Sequence, residues 1–148
     1  MRDAVLVPLE MLRRELERHN IEVVTHLDDV SPGTTDLSVI SQLCLNLYLN
    51  ARDAMVPKGH GTLEVSLAGD PDEVAITVRD TGVGIPADFR PRLFQPLQTT
   101  KGERGTGLGL STARSVLASM GGRIEYDTEE QRGTTFRVYL PRGKGVIP

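Results

Sequence analysis

Between Asp80 and Ser111 the chain reads Asp80-Thr81-Gly82-Val83-Gly84-Ile85-Pro86, then Phe94-Gln95-Pro96-Leu97-Gln98-Thr99-Thr100-Lys101, then Gly105-Thr106-Gly107-Leu108-Gly109-Leu110-Ser111. Two glycine clusters bracket a threonine-rich segment tipped with lysine. Glycine lets backbone approach a ligand closely and takes positive φ without penalty, so successive N–H groups can turn toward an anion. The stretch reads as a nucleotide cradle with a movable cover.

Two further groups belong with it. Gln42, Asn46, Asn50 and Asp53 recur at spacings of four, four and three in an otherwise apolar segment, which puts them on one side of a helix. Buried amides and carboxylates are costly unless hydrogen-bonded, so such a stripe should line a cavity with polar contents. In the run Val74, Ile76, Val78, the alternation continues to Asp80, so its carboxylate leaves a strand on the core side and needs a donor there. Thr134 falls on the same inward alternation as Phe136, Val138 and Leu140, so a second polar group points at the same interior.

The elements that must position these groups follow from periodicity. Val5, Leu9, Leu12 and Leu16 mark an amphipathic helix over residues 2–19, whose job is packing. Residues 21–27 alternate as a strand, and Asp28-Asp29 and Ser31-Pro32-Gly33 break the chain. Asp36 is an N-cap for a helix ending near Met55, stopped by Pro57 and Gly59, with Leu37, Ile40, Cys44, Leu47, Ala51 and Met55 along one side. Leu63, Val65 and Leu67 lead through Gly69-Asp70-Pro71-Asp72 into the strand that ends at Asp80, forming a hairpin. From Gly82 to Gly107 the only regular feature expected is a helical turn near Arg90 to Phe94, and so long a loop in a compact domain is functional or mobile. A helix from Gly107 to Met120, stopped by Gly121-Gly122, puts the second glycine cluster at a helix N-terminus, where free N–H groups and the macrodipole favour phosphate. Strands over 123–127 and 134–140 follow, and the Gly/Pro tail over 141–148 is expected to be loose.

The chain's 148 residues make one domain by the usual length prior. A net charge of -3 without a Lys/Arg block argues against a nucleic-acid or membrane-surface footprint. Cys44 is the one cysteine, which excludes an internal disulfide and reads as a small buried hydrophobe in a reducing compartment. No apolar run approaches bilayer length, so the expected location is cytoplasmic, although a piece of a membrane receptor would look the same.

Familiar phosphate motifs fit poorly. There is no G-x-x-x-x-G-K-[ST], the cluster at Gly105 to Gly109 lacks G-x-G-x-x-G spacing and a preceding strand, and the V-A-I-K and H-R-D segments of protein kinases are absent. The order Asn46-x-x-x-Asn50-Ala51, Asp80-x-Gly82-x-Gly84, Phe94 to Lys101 and Gly105-Thr106-Gly107-Leu108-Gly109-Leu110 closely resembles the N, G1, F and G2 boxes of sensor histidine kinases. These belong to the ATPase superfamily shared with gyrase, Hsp90 and MutL. The resemblance spans nearly the whole chain from about Ile21 to Leu140. It implies an α/β two-layer sandwich of the Bergerat type, with a mixed, roughly five-stranded sheet on three helices. ATP would sit between the second and third helices under a flexible lid over residues 86–106.

By position, the resemblance makes Asp80 the acceptor for the adenine amino group, supported by Thr134 directly or through water. Asn50 becomes the Mg²⁺ ligand, an acceptable hard oxygen donor when triphosphate and water supply the rest. Gly105, Gly107 and Gly109 would offer N–H groups to the phosphates, and Lys101, with Arg104, would reach the γ-phosphate. Nucleotide contacts extend to Asn46, Asp53, Gly82, Gly84, Ile85, Thr99, Thr100, Thr106, Leu108 and Leu110. Gyrase-like ATPases carry glutamate where Asn46 stands; its loss suppresses hydrolysis while leaving phosphoryl transfer possible, since transfer needs positioning and charge neutralisation more than a strong base. Asn46 and Lys101 are therefore the catalytic candidates.

The implied reaction moves the γ-phosphoryl of ATP to a histidine on a separate dimerisation domain, from which a response regulator takes it. His19, His26 and His60 match no acceptor motif, so that histidine is expected elsewhere, and residues 1–20 would lie near the junction with its domain. Gln95 and Leu97 replace an acid and an aromatic usual in the F box, so lid packing or its contact with the acceptor helices should differ. Asn50-Ala51-Arg52-Asp53-Ala54-Met55 and the T-T-K ending resemble nitrogen-regulatory and oxygen-sensing kinases. The alternatives are an ATP-driven clamp of the gyrase or Hsp90 type, or an anti-sigma serine kinase or nucleotide-sensing module.

Overall fold

A computed structural model describes residues 1–31, 33, 35–95 and 106–142. It consists of α1 (Arg2–Arg18), β1 (Ile21–Leu27), α2 (Leu37–Met55), β2 (Gly61–Gly69), β3 (Glu73–Asp80), α3 (Thr106–Ser119), β4 (Arg123–Glu129) and β5 (Gly133–Pro141). Short 3-10 turns at Val56–Lys58 and Arg90–Arg92 complete the described residues, the second falling where a helical turn is expected. The strands form one sheet in the order β1-β2-β3-β5-β4. β1 pairs parallel with β2, and every other pairing is antiparallel. The mixed five-stranded sheet, three helices and two layers agree with the expected fold class.

Register explains why one end of this sheet is special. Rows of paired residues cross it on its helix-covered face: Leu67, Ile76, Val138 and Ile124 form one, and Val65, Val78, Phe136 and Tyr126 the next. The row beyond reads Leu63, Asp80, Thr134, Thr128, so the same alternation that supplies hydrocarbon elsewhere delivers three polar groups in line. Leu63, Val65, Leu67, Ile76, Val78 and Val138 are fully buried against the helices.

α2 is the central helix of the other layer. Asp36 caps it as expected, its Oδ1 accepting from Ser38 N at 3.0 Å. Ile40, Cys44, Leu47, Ala51 and Met55 are buried, while Leu37 is exposed at the first turn and Leu45 and Leu49 on the flanks are half-buried. α1 packs alongside through Val5, Leu9 and Leu16. Pro8 lies inside α1 and has no N–H to give the Ala4 carbonyl one turn earlier; Ser41 Oγ donates to that carbonyl at 3.0 Å, and Tyr48 OH to the Val5 carbonyl at 2.7 Å. Proline thus opens the Ala4 carbonyl, which the Ser41 hydroxyl of α2 satisfies, while the Tyr48 hydroxyl adds a bond to the next carbonyl. Burial pushes the Cys44 thiol up to about 12 and raises Tyr48 above its ordinary value as well.

Candidate functional site

Asp80 ends β3 with 5% of its surface exposed, and Thr134, its partner across the β3–β5 ladder, with 4%. A carboxylate at that depth is tolerable only with donors around it. One is local: Asp80 Oδ1 accepts from Gly82 N at 2.8 Å, which also bends the chain out of the strand. Thr134 Oγ1 lies 2.9 Å from Thr128 Oγ1, and Thr128 Oγ1 accepts from Ile85 N at 2.9 Å. Asp80 and Thr134 therefore meet as the alternation predicts, with Gly82 bonded to Asp80 and Ile85 joined to Thr134 through Thr128.

The loop from Thr81 to Ile85 is clamped between two elements. Val83 N donates to the Ala54 carbonyl at the C-terminal end of α2 (2.9 Å), and Gln131 N in the β4–β5 turn donates to the Val83 carbonyl (2.7 Å). Lys58 Nζ donates to the carbonyls of Thr81 (3.2 Å) and Gln131 (2.9 Å), tying the same three segments with one cation. The glycines are required for the close approach. A Cβ on Gly82 would stand 2.5 Å from the Ala54 carbonyl oxygen, and one on Gly84, where φ is +78, would stand 2.5 Å from the Glu129 carbonyl oxygen.

The Ala54 contact brings α2's polar stripe to this loop. Asn50 is one helical turn before Ala54 and Asn46 one turn before that, both half-buried. Asp53 is engaged with its neighbour: its Oδ1 accepts from Arg52 Nε and Nη2 at 3.1 and 2.9 Å, and Arg52 Nη1 reaches Glu15 of α1 at 2.7 Å. That ion-pair chain sits on the α1–α2 seam. α3 opens at Thr106 with the backbone of Thr106, Gly107, Leu108 and Gly109 in its first turn, and Leu110, Ala113 and Leu117 are buried beneath it. Thr99, Thr100, Lys101, Arg104 and Gly105 lie outside the described residues, as do Leu97 and residues 143–148.

The described part of the expected lid is held to the sheet. Leu93 is buried, Arg90 Nε donates to the Ile85 carbonyl at 3.0 Å, and Phe94 packs tilted against Tyr126, which packs tilted against Phe136, each at 6.0 Å between centroids. Arg114 of α3 lies over the Phe94 ring at 5.1 Å. A cleft of about 490 Å³ opens there, bounded by Arg90, Phe94, Arg114 and Tyr126. Among the described residues, none of the predicted site residues lines it. At the other end, Arg142 N and Nη1 donate to the carbonyls of Asp72 and Asp70, so the tail begins with a tied residue.

Sequence reasoning missed Thr128 and Lys58. Thr128 was findable, because the inward positions Ile124 and Tyr126 continue to it by the same step of two that marks Asp80. Lys58 gives no such signal, since its two acceptors lie 23 and 73 residues away.

Residues 35–144 match the family described as histidine kinase-, DNA gyrase B-, and HSP90-like ATPases. The chain belongs to this family. Within it, the chain is an ATP-binding catalytic domain of the sensor histidine kinase class. It is 40% identical over 153 residues to the sensor kinase CckA of Brucella abortus (strain 2308), covering 93% of this chain and 16% of that protein. The chain thus spans a minor part of that relative's length. The solved catalytic domain of histidine kinase ThkA is 26% identical with a TM-score of 0.82, covering 95% of this chain and 93% of the other. Full-length ShkA, solved in complex with AMPPNP, is 25% identical with a TM-score of 0.80, covering 95% and 29%. These relatives do not favour the gyrase-like clamp or anti-sigma alternatives. Among the described residues no helix is long and apolar enough to cross a membrane.

Proposed function

We propose that residues 1–148 form one catalytic domain that binds ATP with Mg²⁺ and passes the γ-phosphoryl group to a histidine on a separate dimerisation and phosphoacceptor domain, from which a response regulator receives it. The observation that carries this reading is the buried Asp80–Thr134 pair at the mouth of a loop bonded to α2, the helix that carries the Asn46–Asn50 stripe. Asp80 accepts from the adenine amino group and Thr134 supports it. Asn46 and Asn50 face the triphosphate from α2, with Asp53 beyond them, and Gly82, Gly84 and Ile85 form the near wall. Residues 86–106 act as the cover, with Thr99, Thr100 and Lys101 toward the γ-phosphate. The backbone from Gly105 through Leu110 receives the phosphates at the opening of α3. That full-length ShkA, a relative of the same fold, was solved in complex with AMPPNP supports a nucleotide as the ligand.

The donor set fits a magnesium ion that takes few protein ligands. Among the described residues no group of three or more His, Cys, Asp or Glu could hold a metal. Asn50 would supply one amide oxygen; the bound ion would neutralise charge on the phosphates. In the transfer, the bond from the γ-phosphorus to the β–γ bridging oxygen breaks and a bond to an imidazole nitrogen forms, leaving ADP. Asn46 orients polar groups there without serving as a base, and Lys101 stabilises charge on the γ-phosphoryl group as it transfers.

The test mixes the chain with ATP labelled at the γ-phosphate and a purified dimerisation and phosphoacceptor domain. Acid-labile label should move to that domain's histidine and vanish when the histidine is changed to alanine. Steady release of free phosphate with no labelled histidine would instead point to an ATPase.

A further inference from the structure

Thr128 Oγ1 has three polar neighbours and a single proton. The Ile85 N–H points at it from 2.9 Å and can only donate, so it takes one lone pair. The proton of Thr128 then has two destinations, Thr134 Oγ1 at 2.9 Å or the Gly133 carbonyl at 3.3 Å. Hydroxyl hydrogen bonds centre near 2.7–2.8 Å and are rarely longer than about 3.0 Å, which selects Thr134. If Thr134 accepts from Thr128, its own proton is left for an acceptor on the side away from Thr128, where Asp80 is its cross-strand neighbour. The donors run in one direction, from Ile85 N–H through Thr128 to Thr134, and such chains polarise each member.

We propose that Thr128 is a positioning residue that fixes the hydroxyl of Thr134 as a donor and so sets the base specificity of the pocket. Thr134 presents a proton and Asp80 presents lone pairs. That pairing complements a six-membered purine edge with an acceptor at N1 and an amino donor at C6. It opposes one with N1–H and a C6 carbonyl, for which both contacts are reversed. Loss of the Thr128 hydroxyl frees Thr134 to rotate and present lone pairs, so discrimination falls even with Asp80 intact. This inference rests on the proposal that Asp80 and Thr134 receive the base.

The experiment is calorimetric titration of the chain and its Thr128→Val and Thr128→Ser variants with three diphosphates: ADP, purine riboside diphosphate, which keeps N1 but lacks the amino group, and inosine diphosphate, which carries N1–H and a C6 carbonyl. For Thr128→Val, ADP and purine riboside diphosphate should each weaken about tenfold, the loss expected for one buried hydrogen bond. Inosine diphosphate should stay within about twofold, because it makes no use of a Thr134 donor. Thr128→Ser should restore the wild-type ratio. Equal weakening of all three would show a merely structural role and overturn the proposal, as would an unchanged ADP to inosine diphosphate ratio. A wild-type chain that binds ADP no better than inosine diphosphate would instead sink the base reading beneath it. If the valine variant does not fold, Thr134→Val carries the test: an unchanged ratio there overturns the relay.

Discussion

Two rows of side chains cross the same strands one residue apart and behave in opposite ways. On the covered face Asp80, Thr134 and Thr128 line up; on the open face their neighbours Glu64, Arg79, Thr135 and Asp127 do so. The outer row is built from surface ion pairs and a hydrogen bond, with Arg79 Nη1 to Glu64 Oε1 at 3.1 Å, His26 Nε2 within hydrogen-bond distance of the same carboxylate at 3.1 Å, and Arg137 Nη1 to Asp127 at 2.7 Å. Water can replace any of those contacts, so each is worth little. In the inner row Asp80 and Thr134 are buried and Thr128 half-buried, so water competes less, and a buried polar atom must be met by a specific partner or lose about 1–3 kcal/mol. Pleat alternation, rather than residue type, decides which row can carry recognition.

The comparison can be broken by substitution. Gly82→Ala should have the largest effect on stability, because its Cβ would press on the Ala54 backbone, which cannot rotate away. A loss of about 1–3 kcal/mol in denaturant unfolding is expected, as for other overpacked sites. Tyr48→Phe, which removes the donor to the Val5 carbonyl in the α1–α2 seam, should cost about 1–2 kcal/mol by the same measurement. Arg79→Ala on the open row should cost less than about 0.5 kcal/mol, with nucleotide affinity unchanged. If Arg79→Ala rivals Gly82→Ala, the contrast between the faces is wrong.

The smallest effect at neutral pH comes from Cys44, where the folded chain holds the thiol protonated. Its folded value near 12 lies above the ordinary 9.0, so its contribution is complete below about pH 9 and is lost as pH rises from there toward 12. Stability should fall with a slope of up to about 1.4 kcal/mol per pH unit for that group alone. Tyr48 shifts in the same direction and adds to it. In Cys44→Ala the decline should be shallower; an identical decline would mean that the thiol does not contribute.

Much of this was legible in the sequence because local periodicity is cheap to read. The β1 limits, the Asp36 cap and the hairpin into Asp80 follow from alternation, helical spacing and turn residues. The inward sense of Asp80 and Thr134 follows from counting by two from hydrocarbon neighbours. Contacts between distant segments left no such trace. The parallel pairing of β1 with β2, the Lys58 strap and the seating of Gly82 on Ala54 are set by tertiary packing. Gly82 and Gly84 read as ligand-facing backbone in the sequence, and they also permit the loop to touch α2 and the β4–β5 turn. Asp53, read as part of the polar stripe, is also the anchor of the Arg52–Glu15 ion-pair chain.

The central claim is that the buried carboxylate at the end of β3 receives the base. Calorimetry of ADP with Asp80→Asn measures it directly, since the amide keeps the size and alters only charge and donor pattern. The account predicts at least about a hundredfold loss of affinity, as for a buried charged hydrogen bond, with the unfolding midpoint nearly unchanged. Wild-type affinity in a folded Asp80→Asn variant would contradict it.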